Sequence, residues 1–367
     1  MGITYAQVGM LIGAFMLPGA FLALPSGLLG VRFGDKAVVL LGLGLMAAGT
    51  ELLAFSGGFT PAFLGRLLSG AGAVALNVQI AKLITDWFAG RELSTAYGIH
   101  LGSFPLGVSL SLSTLGLVAE ASSWRMAVHL TGLCTISSLV LMGLLYRDPP
   151  ERPKAQAASG LSGFRISRRE LVLILTLSSL WVLFNTGYMV FMSFAPTLLV
   201  DRGYSVVQAG FLVGIASWVS IVSTPLGGIL VDWSGRINSF IWAGTIISTV
   251  GIVFLVWGGP IVVWMVLLGV AFGLVPGAVM ALPQQVLLPT SRSMGFGLFY
   301  TFVFLGFGVL PAVAGWLQDV TGSADMSMYF SGAVTLLTIP ALLIFRALQR
   351  RLGSPGLEYA QAAAASA

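Results

Sequence analysis

The stretch from Thr4 to Gly34 recurs as Ser205 to Gly235 at a constant offset of 201 positions, so one hairpin is written twice in this chain. Gln7, Gly9, Leu11, Gly13, Gly27, Leu29 and Gly34 reappear as Gln208, Gly210, Leu212, Gly214, Gly228, Leu230 and Gly235. Each copy opens on a hydroxyl residue three positions before Gln, the signature of a capping box that satisfies the free amides of a helix start. Each then stays apolar for about 25 residues, enough to cross the roughly 30 Å hydrocarbon layer of a bilayer, before a short Gly-containing basic turn. A further long apolar segment, Leu171 to Leu199, precedes the second copy, whereas the first begins almost at Met1. One helix is therefore expected to be missing from the front, through a misplaced start or a truncation.

Composition places the whole chain in the same class. Hydrophobic residues make up 57% of the 367, charged residues 8%, and the mean hydropathy is +0.95. Apolar runs of membrane-crossing length lie near residues 6–30, 36–56, 61–85, 93–118, 124–146 and 170–199, then 205–231, 236–257, 261–288, 292–317 and 325–349. The expected fold is an all-α integral membrane protein with eleven transmembrane helices. The short alternating segments of an outer-membrane barrel are absent, which points to an inner or cytoplasmic membrane. The first run is too long, and its basic flank lies on the wrong side, for a cleavable signal peptide. Cys134, the single cysteine, sits inside an apolar run and reads as a small packing residue, so no disulfide framework is expected.

A sequence pI near 9.6 raises the question of nucleic acid, and the placement of the basic residues answers it. With alternating helices, Arg32, Lys36, Arg91, Arg236 and Arg292, the cluster from Arg147 to Arg169 and the group Arg346, Arg350 and Arg351 all fall on one side. Only Arg125 and Arg202 fall on the other, while Arg66 and Lys82 lie within the third helix. By the positive-inside rule the stretch from Arg147 to Arg169 and the C-terminus are cytoplasmic, and no nucleic-acid partner is expected.

The polar, Pro- and Ala-containing stretch 147–169 divides the helices into a five-helix half, 1–146, and a six-helix half, 170–350; the remainder, 351–367, reads as a disordered tail. A weaker correspondence joins Ala96, Tyr97, Gly98, Leu106 and Gly107 to Gly295, Phe296, Gly297, Leu305 and Gly306. Repeats running in the same direction, related by an axis along the membrane normal, occur in secondary transporters whose substrate site lies between the halves. Glycines spaced by four (Gly9 and Gly13, Gly98 and Gly102, Gly210 and Gly214, and Gly269, Gly273 and Gly277) form small faces suited to close helix packing.

The turns carry a closer likeness. Gly27-Leu-Leu-Gly-Val31-Arg32-Phe-Gly34-Asp35-Lys36 and Gly228-Ile-Leu-Val-Asp232-Trp-Ser-Gly235-Arg236 resemble the G-x-L-x-D-R-x-G-R-R turn of the major facilitator superfamily. The segment Arg66-Leu-Leu-Ser-Gly70-Ala-Gly72-Ala is similar to that family's fourth helix, and Lys82-Leu-Ile-Thr-Asp86-Trp-Phe-Ala-Gly-Arg91-Glu92 resembles its cyanate-permease-like branch. The resemblance covers the chain to about Arg351 and implies the major-facilitator fold, two pseudo-symmetric helical halves, of which this chain matches helices two to twelve. It also implies alternating access. Val31 replaces the usual Asp of the first turn, and the family's antiporter signature is only fragmentary in Gly98 to Gly107, which lowers a drug-antiporter reading.

Ionisable side chains inside the hydrocarbon are costly and therefore functional suspects. Arg66 either ties helix backbones or presents positive charge to the solute. Lys82, four residues before Asp86, reads as a snorkelling side chain with a helical partner, and Glu51 reaches toward headgroups. His100 and His129 offer polar packing or proton coupling. Family analogy adds Asn77, Trp181, Asn185, Tyr188 and Tyr300 to Arg66 as substrate-binding candidates, with Trp181, Asn185 and Tyr188 spaced to share a helix face. Arg32, Lys36, Asp86, Asp232 and Arg236 are gate candidates, Asp232 standing by the helix start near Ser94; Gln79, Gln284 and Gln285 are further polar positions. The expected function is secondary active transport of a small organic solute, an anion among the options, by a monomer in the bilayer with no cofactor and no metal. The alternatives are a proton-coupled exporter of hydrophobic compounds and a solute receptor that does not transport. A membrane enzyme is not expected.

Overall fold

Backbone amides and carbonyls have no water to bond inside a bilayer, so an apolar chain that crosses it coils into helices that satisfy them internally. The computed structural model describes residues 2–88, 93–146, 166–288 and 291–359. These form α1 (Tyr5–Met16), α2 (Gly19–Phe33), α3 (Asp35–Ala54), α4 (Phe59–Phe88), α5 (Leu93–Ala121), α6 (Trp124–Leu145) and α7 (Arg168–Asp201). There follow α8 (Val206–Ser234), α9 (Ile237–Trp257), α10 (Ile261–Met280), α11 (Pro283–Val286), α12 (Arg292–Thr321), α13 (Ala324–Leu336) and α14 (Thr338–Leu352). No strand occurs among the described residues. With α1 joined to α2, α10 to α11 and α13 to α14, the helices give 11 candidate membrane spans, matching the apolar runs of the sequence.

The two hairpins begin and end alike. Thr4 Oγ1 accepts from Gln7 N and Gln7 Oε1 from Thr4 N; Ser205 and Gln208 repeat the exchange, so both capping boxes form as expected. Both close at a glycine of positive φ, Gly34 at 86° and Gly235 at 65°, where a side chain would be strained. Between these ends they differ: the first breaks at Leu17 and Pro18 into α1 and α2, and the second is one helix, α8.

The helices cluster into two compact units, one of Met1–Gly160 with Phe304–Val320 and the other of Leu161–Val303 with Thr321–Ala367. In the first unit α4 packs on α3, α1 and α2, and α6 packs on α3. In the second, α10 packs on α9 and α8, and α13 on α9 and α7. The pairs α3–α4, α1–α4 and α3–α6 are thus answered by α9–α10, α8–α10 and α9–α13, so the repeat extends from sequence to packing.

The grouping crosses the division at the linker that the sequence suggests, because the end of α12 packs with α1. A Cβ on Gly13 would overlap the Gly308 carbonyl oxygen and one on Gly9 that of Pro311. Asp319 adds a clamp, its two carboxylate oxygens accepting from Tyr5 N at 2.8 Å and Ala6 N at 2.7 Å. The glycine seam of the second unit brings Gly269 against the Ala216 carbonyl and Gly273 against Ser223. Gly102, by contrast, faces open space rather than a neighbouring helix. Of the expected linker, 147–165 lie outside the described residues; Ser167 already caps α7. Of the expected disordered tail, 351–352 finish α14 and 355–359 are helical, because Gly356 seats against Gln284 and Leu287 of the α10–α12 connection; 360–367 lie outside the described residues.

Candidate functional site

Small residues on α4 bring α1 close enough for Arg66 to reach it. Gly70 abuts the Phe15 backbone, and Arg66 Nε donates to the Leu11 carbonyl at 3.0 Å while its guanidinium lies 4.6 Å from the Phe15 ring centroid. Leu11 and Phe15 are one turn apart, so the guanidinium lies along α1. It is half-buried, and no carboxylate pairs with it among the described residues. The backbone tie is present, and the charge has no counter-ion among the described residues.

Two amides follow on the same helix with different surroundings. Asn77 is exposed and donates to the Ala73 carbonyl at 3.0 Å. Gln79 is fully buried, donates to the Ser26 carbonyl at 2.7 Å and rests where Gly30 has no side chain. Its Oε1 has no hydrogen-bond partner among the described residues. Gln79 is therefore a tie between α2 and α4. The Lys82 and Asp86 side chains lie outside the described ones.

In the second unit the spacing of Trp181, Asn185 and Tyr188 does place them along α7, each half-buried. Their partners diverge. Trp181 lies 6.3 Å from Phe299 of α12, which meets Tyr300 edge-on at 5.2 Å, so Trp181 and Tyr300 share one aromatic cluster. Tyr188 meets Phe272 of α10 edge-on at 4.9 Å, and its hydroxyl bonds Ser217 and Ser220 of α8. Asn185 donates to the Trp181 carbonyl at 3.0 Å, the same i−4 posture as Asn77. Ser331 of α13 donates to the Gly187 carbonyl at 2.7 Å and fixes this part of α7 from behind.

Four of the gate candidates, Arg32, Lys36, Asp232 and Arg236, have described side chains. Lys36 donates to the Tyr146 carbonyl at 3.4 Å and lies over its ring at 5.8 Å, joining the start of α3 to the end of α6. Arg32 is exposed beside the Phe33 ring, and Asp232 and Arg236 are exposed at the turn between α8 and α9. The expected approach of Asp232 to Ser94 lies outside the described residues, as do the side chains of Val31 and Ser94.

Three interactions have no counterpart among the sequence candidates as pairs. His129 Nδ1 and Glu51 Oε2 lie 2.6 Å apart, joining α6 to α3, with Phe55 edge-on to the imidazole at 4.8 Å. Glu170 completes a capping box with Ser167 and its other oxygen accepts from Leu288 N at 3.0 Å and from the Ser291 hydroxyl. Arg202 Nη1 donates to the Leu255 carbonyl at 2.6 Å, and Nη2 to the Val256 carbonyl, where α9 ends. The Ser167-x-x-Glu170 spacing is a readable cap; the other partners are far apart in the chain and leave no local signal.

A sequence profile described as Major Facilitator Superfamily matches residues 1–291. The chain belongs to the major facilitator superfamily. Among curated proteins it is similar to a hexuronate transporter of Bacillus subtilis, at 21% identity over 96% of this chain and 88% of that protein. It is also similar to a probable sulfoacetate transporter of Cupriavidus necator, at 24% identity over 91% and 84% respectively. A lysosomal dipeptide transporter of Danio rerio matches at 24% over 91% of this chain and 74% of the relative. The chain is accordingly a multi-pass membrane transporter of small solutes, and its relatives are transporters, not enzymes.

Proposed function

We propose that this superfamily member moves a small organic anion across the cytoplasmic membrane by alternating access, as a monomer with the linker and C-terminus on the cytoplasmic side. The observation that carries the anion is Arg66: a guanidinium inside the span Phe59–Ala81, held by one backbone carbonyl and one ring, with no carboxylate pairing its charge among the described residues. Burial of an uncompensated cation is costly, and an anionic solute relieves that cost each time it binds. The hexuronate and sulfoacetate named for two relatives are both organic anions and support the same class. Asn77, Asn185, Trp181, Tyr188 and Tyr300 are assigned to polar and stacking contacts with the solute. Arg32, Lys36, Asp86, Asp232 and Arg236 are assigned to the gate.

Uptake of a labelled panel of carboxylates, sulfonates, dipeptides and neutral sugars into proteoliposomes tests the reading. Transport of a carboxylate or sulfonate should fall by roughly tenfold or more in Arg66→Gln, and Arg66→Lys should fail to restore it because an ammonium lacks the planar fork. Unchanged kinetics in Arg66→Gln for every accepted anion would reduce Arg66 to a helix tie. A second reading, the proton-coupled exporter, has in its favour the hydrogen bond that joins the Glu51 carboxyl of α3 to the His129 imidazole of α6 within the spans.

A further inference from the structure

The last turns of α14 carry Arg346, Gln349 and Arg350, with both arginines on one face. Arg346 is tightly placed. Its Nε and Nη2 donate to Asn238 Oδ1 at 2.9 and 2.6 Å, and Nη1 donates to Gln285 Oε1 at 3.1 Å and Gln349 Oε1 at 2.6 Å. Gln349 Nε2 also donates to Gln285 Oε1 at 3.3 Å, closing the network. Every acceptor is a neutral amide. Three amides from α9, α11 and α14 therefore fix the plane of the guanidinium without neutralising it, and no carboxylate pairs with Arg346 or Arg350 among the described residues.

Beside these groups opens a cavity of about 370 Å³, lined by Asn238, Gln285, Arg346, Gln349, Arg350 and Ser354. The chain beyond α14 forms its wall. Gly353 turns at a φ of 81°, Glu358 Oε1 accepts from Ser354 N at 2.9 Å, and Gly356 presses on the Gln284 backbone so closely that a Cβ would overlap it. The nearby acid thus caps its own helical turn and does not pair with the arginines. Leu357 also lines the cavity and is exposed, as is Trp242, one turn beyond Asn238 on α9. The Arg350 guanidinium, the one Arg346 N–H not given to an amide, the Ser354 hydroxyl and the absence of an acid from the wall suit a tetrahedral oxyanion, with Arg346 adding its charge. The exposed apolar side chain of Leu357 on the cavity wall suits an acyl chain at the membrane interface.

We propose that this cavity binds a phosphate group, borne either by an anionic lipid headgroup or by a free phosphate. It is built from residues of the second unit, whereas Arg66 belongs to the first, and it does not depend on the anion-transport reading. The test uses the full chain in neutral detergent, with thermal unfolding and native mass spectrometry read in parallel. Phosphatidylglycerol, phosphatidylcholine and inorganic phosphate are the three additives, at matched ionic strength. Phosphatidylglycerol should raise the melting temperature and be retained as a bound adduct, where phosphatidylcholine does neither. Arg350→Gln should weaken that binding by about fivefold, the worth of one cation near a charged headgroup. Arg351→Gln, which removes an exposed charge next to the cavity but not on its wall, should leave it unchanged. Arg350 is exposed, so its variant folds, and Asn238→Ala, which frees the Arg346 plane while keeping the charge, should weaken binding in the same direction. An Arg350-dependent shift with inorganic phosphate identifies the free ion as the occupant; a shift with the lipid alone identifies the headgroup. The proposal is overturned if neither additive binds, or if Arg350→Gln and Arg351→Gln weaken binding equally, which is the behaviour of diffuse surface charge.

Discussion

In the first hairpin the capping box at Thr4 leads into a 12-residue helix that stops before Leu17 and Pro18, whereas the second runs unbroken for 29 residues from Val206 to Ser234. Proline by itself does not explain this, since Pro25 and Pro225 sit inside intact helices. Pro18 is followed by Gly19, so the lost hydrogen-bond donor is joined to the residue of weakest helix propensity short of proline itself. The matching position of the second copy is Val219, which packs where Gly269 leaves room. Caps and turns depend on two or three neighbouring residues and so keep their register; the middle of a span answers to whatever helix lies beside it, and there the copies have parted.

The largest expected effect comes from writing the break into the copy that lacks it. Val219→Pro removes a ladder hydrogen bond where no water replaces it and should destabilise the second unit by about 3 kcal/mol or more, read as a loss of folded protein by size-exclusion and thermal unfolding in detergent. A melting temperature close to wild type would mean that the second hairpin tolerates a break as the first does. Gly13→Ala comes next. Its methyl meets the Gly308 backbone, which cannot turn aside, at a cost of about 1–3 kcal/mol, while Gly228→Ala in the second hairpin points into open space and should be silent. Equal melting shifts would show that the two seams are not distinguished by packing. Smallest is Asp319→Asn, which weakens the carboxylate clamp on the start of α1. A loss of about 0.3–1 kcal/mol is expected, screened by salt, and an undiminished effect at high ionic strength would assign it to hydrogen bonding rather than to charge.

Much of this was legible from the sequence. The apolar runs give the spans, the hydroxyl-to-Gln spacing gives both caps, and the Gly-containing turns close the hairpins at Gly34 and Gly235 as expected. The failures share a physical cause. Asp319 caps α1 from more than 300 residues away, Glu51 meets His129 across two helices, and the tail is held by the seat of Gly356; each depends on a partner that local periodicity does not name. The candidate site was half legible. Arg66 was singled out by its scarcity, and the tie to Leu11 and Phe15 is one of the two roles read for it. The spacing of Trp181, Asn185 and Tyr188 placed them on α7 but gave no sign that Trp181 would turn to α12 and Tyr188 to α8 and α10.

The interruption at Leu17 and Pro18 also bears on mechanics. A continuous helix transmits torque along its axis, so that a twist imposed at one end of α8 arrives at the other. The first hairpin keeps helical dihedrals through Leu17 and Pro18, but Pro18 has no amide to give to the ladder, so the rungs are fewest there. One copy of the repeat is therefore a shaft of even stiffness and the other a shaft with one soft section, cut from the same pattern.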